Sequence, residues 1–464
     1  MATARTTGIL LAFNCSRSVA NLALHFVALV WLALHFSAAH AVPAFARQTH
    51  QPCVACHIGA FGPQLTPFGR QFKLQGYTLE TGDDRKIPLS MMLVETFTHT
   101  QKAQAESPGS GFNRNDNVEL EQASAFLAGR ISDHLGIFAQ ATYSGNGGKV
   151  GWDNVELRYA RSNQIGSHAV VWGISLNNNP GVSDVYNTIP AWQYPYMSPD
   201  LAPSAPATPV LFGAVAGQVI GASAYAQLDD AWYAEAGGYR SLSPAFLRTV
   251  NTDFSGRVTG VAPYARIAYT RNVSNGNFEI GGVIFKMRRG LVGTNTAGDS
   301  ESLPGPADRF EDIGVDASYQ HIGNGDHIVT VKALYVHEQE RLDASFAAGS
   351  AERLHGSLRS LNLDASYWYK NTWGVTLGGF ANNGSRDALL YPVTGRPTTN
   401  GGIAEFNWNP FGKTDSWAKP FANLRLGVQY TFYTRFAGAV RSIDGNNRRA
   451  TDNNTLFVYA WTAL

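Results

Sequence analysis

Apolar and polar side chains alternate with a period of two over much of the chain beyond residue 87, which predicts β-strands. In residues 360–370 the apolar face carries Leu361, Leu363, Ala365, Tyr367 and Tyr369. The opposite face carries Ser360, Asn362, Asp364, Ser366 and Lys370, with Trp368 as its one bulky member. Residues 312–320 and 423–432 repeat the pattern. Such strands fit a barrel wall between lipid and a water-filled lumen; a soluble β-sandwich is the alternative.

The connections between these strands alternate in length. Short ones are predicted near residues 132–133, 162–166, 229–230, 272–276, 323–326 and 371. Long ones are predicted at 100–117, 177–214, 241–255, 290–308, 341–355, 382–399 and 437–454, and the stretch 409–420 is longer than its place requires. We therefore predict an all-β fold, an antiparallel transmembrane β-barrel of about sixteen strands over residues 87–464. An even strand number with long loops on one rim predicts periplasmic termini and extracellular long loops.

The composition supports a membrane barrel. Charged residues make up 15% of the chain, whereas about 25% is usual in soluble domains. The mean hydropathy of −0.16 is too low for a helical membrane protein. A formal net charge of +1 gives no basis for nucleic-acid binding.

The first 41 residues have the pattern of a signal peptide. Arg5 and Arg17 precede an apolar stretch at about residues 22–36, and a small-residue cleavage pattern ends at Ala41. We predict cleavage before Val42 and export to the outer membrane. The apolar stretch is long enough that a retained N-terminal anchor is the alternative.

The motif Cys53-Val-Ala-Cys56-His57 follows this leader closely. In C-x-x-C-H the two cysteines form thioethers with haem, and the histidine supplies an axial ligand to the iron. A redox-active dithiol, a disulfide and half of a zinc site are the alternatives, but the chain has no second cysteine pair for zinc. We predict one covalent haem c, with Cys53, Cys56 and His57 as its attachment and proximal-ligand residues.

Residues 42–86 form a predicted monohaem c-type cytochrome segment of helix and coil. So short a chain can hardly bury a porphyrin by itself. A barrel of about sixteen strands is wide enough to hold a plug, so we predict that this segment plugs the lumen. A small cytochrome exposed in the periplasm is the alternative.

The sequence does not decide which residue is the distal ligand of the haem iron. Met91 and Met92 begin the first strand, and alternation turns one of them toward the lumen, where its sulfur can approach the iron. The alternatives are that both methionines only pack in the core, or that the sixth position is open or holds water.

The long connection 177–214 is rich in proline, asparagine and aromatic residues. Its length and position are similar to those of the loop that folds into the pore of many porins. It could narrow the outer mouth and present Asp184 or Asp200 near the entrance to the haem, where a carboxylate suits Fe(II). An ordered surface loop with solvated carboxylates is the favoured interpretation, and the sequence assigns no stable iron-binding site.

Two stretches carry a family resemblance. Residues 43–49 (PAFARQT), 53–57 (CVACH) and 65–77 (LTPFGRQFKLQGY) resemble the haem segment of the fused outer-membrane cytochrome-porin family of iron-oxidising bacteria. Residues 177–192 (NNNPGVSDVYNTIPAW) resemble that family's extracellular loop motif. The chain departs from the family pattern at His50, where a glycine is expected, and at Leu464, where an aromatic residue is expected.

The resemblance implies a function. A member of this family oxidises extracellular Fe(II) and passes the electron through its haem to a soluble periplasmic c-type cytochrome or a similar carrier, across outer-membrane lipid. The alternatives are a haem-plugged porin or sensor, and the same electron conduit with a donor other than iron, such as a reduced sulfur compound or an organic shuttle.

Overall fold

Sixteen antiparallel strands form a closed barrel in a computed structural model, which describes residues 44–81, 88–296, 298, 300–413, 415–418 and 422–464. Each strand pairs with its neighbours in the chain, and the first strand pairs with the last. The predicted all-β fold class and strand number are confirmed. The predicted signal peptide, 1–41, and the two domain boundaries at 41/42 and 86/87 lie outside the described residues.

The strands and helices have the following bounds. The strands are β1 (Leu89–Thr100), β2 (Asn117–Ser132), β3 (Leu135–Ser144), β4 (Lys149–Ile165), β5 (His168–Asn177), β6 (Val219–Leu228), β7 (Trp232–Ser241), β8 (Ala262–Val273), β9 (Gly276–Thr294), β10 (Ser300–His321), β11 (His327–Arg341), β12 (His355–Tyr369), β13 (Trp373–Gly384), β14 (Thr399–Trp408), β15 (Asn423–Arg435) and β16 (Thr455–Ala463). The helices are α1 (Ala44–Thr49), α2 (Cys53–Cys56), α3 (Pro67–Leu74), α4 (Pro244–Thr249) and α5 (Asp343–Ala347), with 3-10 turns at Pro190–Trp192 and Ala450–Asn453. Of the helices in the described residues, none is long and apolar enough to cross a membrane.

The outward face of the wall is apolar, as the alternation predicts. On β12, Leu361 and Leu363 are 45% and 50% exposed, whereas Asp364 and Ser366 are buried on the lumen side. The same division holds on β10, where Val315 is exposed and Asp316 is buried. Because the apolar face points outward on a closed antiparallel barrel, this is the architecture of a porin-like outer-membrane protein.

The rims differ as predicted, with one exception. One rim has tight turns apart from the longer 409–422 connection, and most connections on the opposite rim are long. The predicted loop 290–308 is wrong, because β9 continues to Thr294 and β10 begins at Ser300, so that these strands extend the hairpin beyond the barrel. A shift in register between Ser302 and Ala307 accommodates the prolines in this stretch.

The barrel closes between β1 and β16. Met92 pairs with Ala463, and the N–H groups of Met91 and Leu464 donate to each other's carbonyl oxygens at 2.8 and 2.9 Å. Both ends of the barrel sequence therefore meet at the rim that carries the tight turns. We call this the closure rim.

The lumen is occupied by polypeptide, in agreement with the predicted plug. The N-terminal segment, residues 44–81, lies inside the barrel together with the inward loop, residues 178–218. Several lumen-facing polar side chains, such as those of Glu156, Asn277 and Lys332, are hydrogen-bonded to these two segments, and this pairing offsets the cost of their burial.

Candidate functional site in the barrel lumen

Helix α3 holds the C-x-x-C helix in place. Thr66 caps α3, since its Oγ1 accepts a hydrogen bond from the N–H of Gly69 at 3.1 Å, and Pro67 occupies the first turn. The N–H of Thr66 donates to the carbonyl oxygen of Cys56 at 2.9 Å. A Cβ atom at Gly69 would lie 2.2 Å from that same oxygen. Only glycine allows α3 to pack this closely on α2.

The chain turns sharply after His57. The N–H of Ile58 donates to the carbonyl oxygen of Gln64 at 2.9 Å, and His57 forms a bridge with Leu65. The Nδ1 atom of His57 lies 2.6 Å from the carbonyl oxygen of Gly62. A carbonyl only accepts, so Nδ1 carries the proton and Nε2 keeps its lone pair. Burial, together with the positive charge of Arg425, lowers the pKa of His57 to about 4, and the ring is neutral at ordinary pH.

The two thiols and the imidazole border one cavity of about 470 Å³. Cys53 and Cys56 are half-buried and are not joined by a disulfide. The cavity walls are largely apolar and aromatic; their members include Phe45, Phe61, Phe72, Phe126, Tyr196 and Trp461. The structure thus brings Cys53, Cys56 and His57 to a pocket of the size and character that cofactors occupy.

Arg425 of β15 fixes the turn after His57. Its Nη2 atom donates to the carbonyl oxygens of Gly59 at 2.8 Å and Phe61 at 2.7 Å. Its guanidinium carbon lies 4.9, 5.1 and 5.3 Å from the ring centres of Phe61, Trp368 and Trp461. The planar guanidinium serves as a fork for the backbone and as a stacking surface for the rings.

The rest of the N-terminal segment is bonded across the lumen. Lys73 Nζ donates to the carbonyl oxygen of Asp184 at 2.6 Å, and Arg70 Nη1 donates to Asn277 Oδ1 at 2.7 Å. The hydroxyl of Tyr77 donates to Glu156 Oε2 at 2.6 Å. These contacts reach two separate strands of the wall and the inward loop, so the segment is seated inside the barrel and does not extend from it.

The inward loop enters the lumen, so the favoured interpretation of an ordered surface loop is wrong, and Asp184 does not face the cavity. Its carboxylate accepts from the N–H groups of Tyr186, Thr188 and Ile189 at 3.1, 2.9 and 3.1 Å, and lies 3.1 Å from Arg266 Nε. The interpretation of Asp184 as a carboxylate presented to a metal ion is therefore wrong, because its oxygens hold the loop together.

Asp200 occupies a different environment. It is exposed, and it lies close to Glu119 and Glu121, which face the lumen from β2 and are buried at 7% and 1% exposure. Within the described ranges, no group of three or more His, Cys, Asp or Glu side chains is arranged to hold a metal ion. Asp200, Glu119 and Glu121 form an acidic patch, of which only Asp200 is exposed, rather than a preformed metal centre.

Three methionines border the cavity: Met91, Met92 and Met197. Met92 faces the lumen and is 8% exposed, whereas Met91 lies on the outward face of β1 and is 49% exposed. Met197 belongs to the inward loop and is 7% exposed. Sequence reasoning missed Met197, because its position depends on how a long loop folds and no local pattern reports that.

Comparisons with known proteins find similarity only among solved structures of outer-membrane proteins. No family model matches the chain, and no curated protein matches it. Among solved structures, the chain is similar to the outer membrane channel DcaP of Acinetobacter baumannii at 12% identity, with a TM-score of 0.46 over 81% of this chain and 96% of that one. It is also similar to OmpT of Vibrio cholerae, at 12% identity and a TM-score of 0.43 over 81% and 98%. It is similar as well to the anion-selective porin from Comamonas acidovorans, at 10% identity and a TM-score of 0.43 over 81% of this chain and 98% of that one.

Proposed function

We propose that this chain is an outer-membrane electron-transfer protein that oxidises extracellular Fe(II) through one covalent haem c and passes the electron to a soluble periplasmic carrier. The observation that carries the proposal is that Cys53, Cys56 and His57 border one lumen cavity, with Nδ1 of His57 bonded to Gly62. When bound, the haem takes up and releases one electron. Everything else is done by the protein around it.

The residues present fit a c-type haem. Thioether attachment needs two reduced thiols on one helical turn, and Cys53 and Cys56 meet that need. Iron ligation needs a neutral imidazole whose other nitrogen is held by a hydrogen bond, as the Gly62 carbonyl holds Nδ1 of His57. Aromatic walls keep water away from the porphyrin.

Fe(II) is the substrate, and the acidic patch, in which Asp200 is exposed and Glu119 and Glu121 lie buried beside it, supports that role. Negative side chains raise the local concentration of a divalent cation, and carboxylate oxygens suit a hard metal ion. In this proposal the long loops and the exposed Asp200 face the outside, and the closure rim with both chain ends faces the periplasm. The filled lumen keeps ferric product outside while the electron passes.

Membranes carrying the protein provide the test. After denaturing electrophoresis the chain should retain haem, and adding Fe(II) without oxygen should produce the reduced c-type spectrum. A chain without covalent haem contradicts the cofactor. A covalent haem that stays oxidised in excess Fe(II) contradicts the donor.

Two alternatives give different results in the same preparation. A haem-plugged porin should conduct solutes in planar bilayers, whereas the filled lumen favours a nearly closed barrel. The same conduit with another donor should be reduced faster by a sulfur compound or an organic shuttle than by Fe(II). Reduction rates measured side by side with each donor separate these cases.

A further inference from the structure

A buried methionine of the inward loop, Met197, borders the cavity. Met197 borders the same cavity as His57 and belongs to the same apolar cluster as Phe61, Met92 and Trp461. It comes from the inward loop, so it approaches the cavity from a different part of the chain than the C-x-x-C-H motif does.

Contacts with the barrel wall show how deep the turn after His57 and Met197 each lie below the closure rim. The turn after His57 lies near the closure rim, because Gly59 bonds to Asn371 and Asn409, which both belong to connections on that rim. Met197 lies deeper, since its carbonyl oxygen is 3.2 Å from the amide nitrogen of Gln429 in the orientation that satisfies that side chain.

Gln429 is four residues beyond Arg425, the residue that holds the turn, along β15. At roughly 3.3 Å per residue this is about 13 Å along the strand. Met92 lies close to the closure rim, because it pairs with Ala463 at the end of β16. The backbone of Met197 therefore lies deeper in the barrel than the turn after His57, whereas Met92 lies at the level of the turn.

The inward loop is anchored on both sides of Met197. Upstream, Lys332 Nζ donates to the carbonyl oxygen of Asn187 at 3.0 Å. Downstream, Gln104 donates to the carbonyl oxygen of Leu201 at 2.7 Å, and Tyr433 donates to that of Pro203 at 3.1 Å. Hydrogen bonds on both sides therefore hold the backbone of the segment that carries Met197 in place.

From this geometry we infer that Met197 is the distal axial ligand of the haem, opposite His57. The inference rests on the proposed function, since it needs a haem at Cys53 and Cys56. Histidine–methionine ligation raises the reduction potential of a haem, which suits an acceptor for electrons from Fe(II). Met92 then has a packing role in the cavity wall.

Ferric-state spectroscopy on the purified, haem-loaded protein tests the ligand without any activity measurement. Near-infrared magnetic circular dichroism of the wild type should show methionine ligation. Met197→Leu, which keeps the volume and removes the sulfur, should lose that signature, become high-spin and bind carbon monoxide faster after reduction. Met92→Leu is the matched control and should keep the wild-type spectrum.

Each other outcome has a meaning. A wild type without methionine ligation, or loss of the signature in Met92→Leu alone, overturns the assignment of Met197. Should Met197→Leu fail to assemble, Met197→His answers the question, because a second histidine at the iron restores a low-spin spectrum at a lower potential, and a high-spin Met197→His protein counts against the proposal. A wild type without haem contradicts the proposed function itself, which is a distinguishable result.

Discussion

Gly69 lies so close to Cys56 that a Cβ atom at position 69 would be 2.2 Å from the Cys56 carbonyl oxygen. This contact joins the helix that crosses the lumen to the helix that carries both cysteines. It predicts that the smallest possible side chain at position 69 disturbs the site and leaves the barrel intact.

Gly69→Ala should therefore reduce the haem bound per barrel. Overpacking of this kind destabilises a packed structure by about 1–3 kcal/mol, and here the packing of the N-terminal segment is what loses stability. Haem content per protein reports the loss, and the heat-dependent shift of the barrel in electrophoresis should stay normal. Gly379→Ala is the matched control, because no heavy atom lies within 4 Å of its added Cβ. Equal haem content in both variants would show that the contact is unimportant.

Replacing either motif cysteine should weaken covalent attachment, and replacing both should abolish it. Each thiol supplies one thioether, so Cys53→Ala and Cys56→Ala together leave haem that is extracted by acid acetone. Haem staining after denaturing electrophoresis measures this. Cys15→Ala is the control, because position 15 belongs to the predicted leader. Retained stain in the double variant would contradict the attachment site.

Loss of the Arg425 charge should lower the reduction potential. A positive charge near the iron disfavours the ferric state, and the charge of Arg425 is near enough to His57 to lower the pKa of that ring. Arg425→Gln removes the charge, whereas Arg425→Lys keeps it and loses the fork. Spectroelectrochemical titration should give a lower potential for the glutamine variant and a value near wild type for the lysine variant. The reverse order would rule out a charge effect.

Asp184→Asn should loosen the inward loop and raise solute conductance. The variant leaves backbone N–H groups of Tyr186, Thr188 or Ile189 without a full acceptor, at about 1–3 kcal/mol for each buried group. It also removes a charge from beside Arg266. Planar-bilayer recordings should show openings that the wild type lacks. Asp200→Asn, in the same loop but exposed, should conduct like wild type; equal conductance in all three proteins would contradict a sealing role.

Asp387 should make one loop contact depend on pH. Burial alone would raise the pKa of Asp387, but N–H donors from Leu390, Glu352 and Arg353 outweigh it, and the pKa lies below its usual value. A depressed pKa means that the contact is fully present above the ordinary aspartate pKa of about 4 and is lost as the pH falls through the lower, folded-state value.

The measurement for Asp387 is hydrogen exchange at the Glu352 and Arg353 amides. Protection should be high above pH 4, roughly, and decline in acid. Asp387→Asn should exchange faster at neutral pH and lose most of this acid dependence. Asp253→Asn, whose side chain is 93% exposed, is the control and should behave like wild type. Protection that does not change with pH in the wild type would contradict the assignment.

Local pattern was enough to predict the wall of the barrel. The inward Asp364 and outward Leu363 follow from a period of two, which neighbouring residues determine among themselves. The hairpin extension at Thr294 and Ser300 was missed, because glycine and proline nearby resemble loop composition while cross-strand pairing decides the structure.

The site was predictable only in part. C-x-x-C-H is a local motif, so Cys53, Cys56 and His57 could be singled out, and alternation separated Met92 from Met91 once the strand was known. The positions of Asp184 and Met197 depend on contacts between the inward loop and strands far away in the sequence, such as the Arg266 ion pair. The sequence of the loop has no repeating pattern of polar and apolar residues from which those contacts could be predicted.

The paired hydrogen bonds between Met91 and Leu464 complete the barrel with the last residue of the chain. The N-terminal segment is synthesised first, yet it ends up enclosed by a wall that exists only after the final strand has docked. The cavity that the two cysteines border extends to this same seam, since Met91, Ala463 and Leu464 are among its lining residues. Docking of the final strand therefore also completes the wall of the cavity.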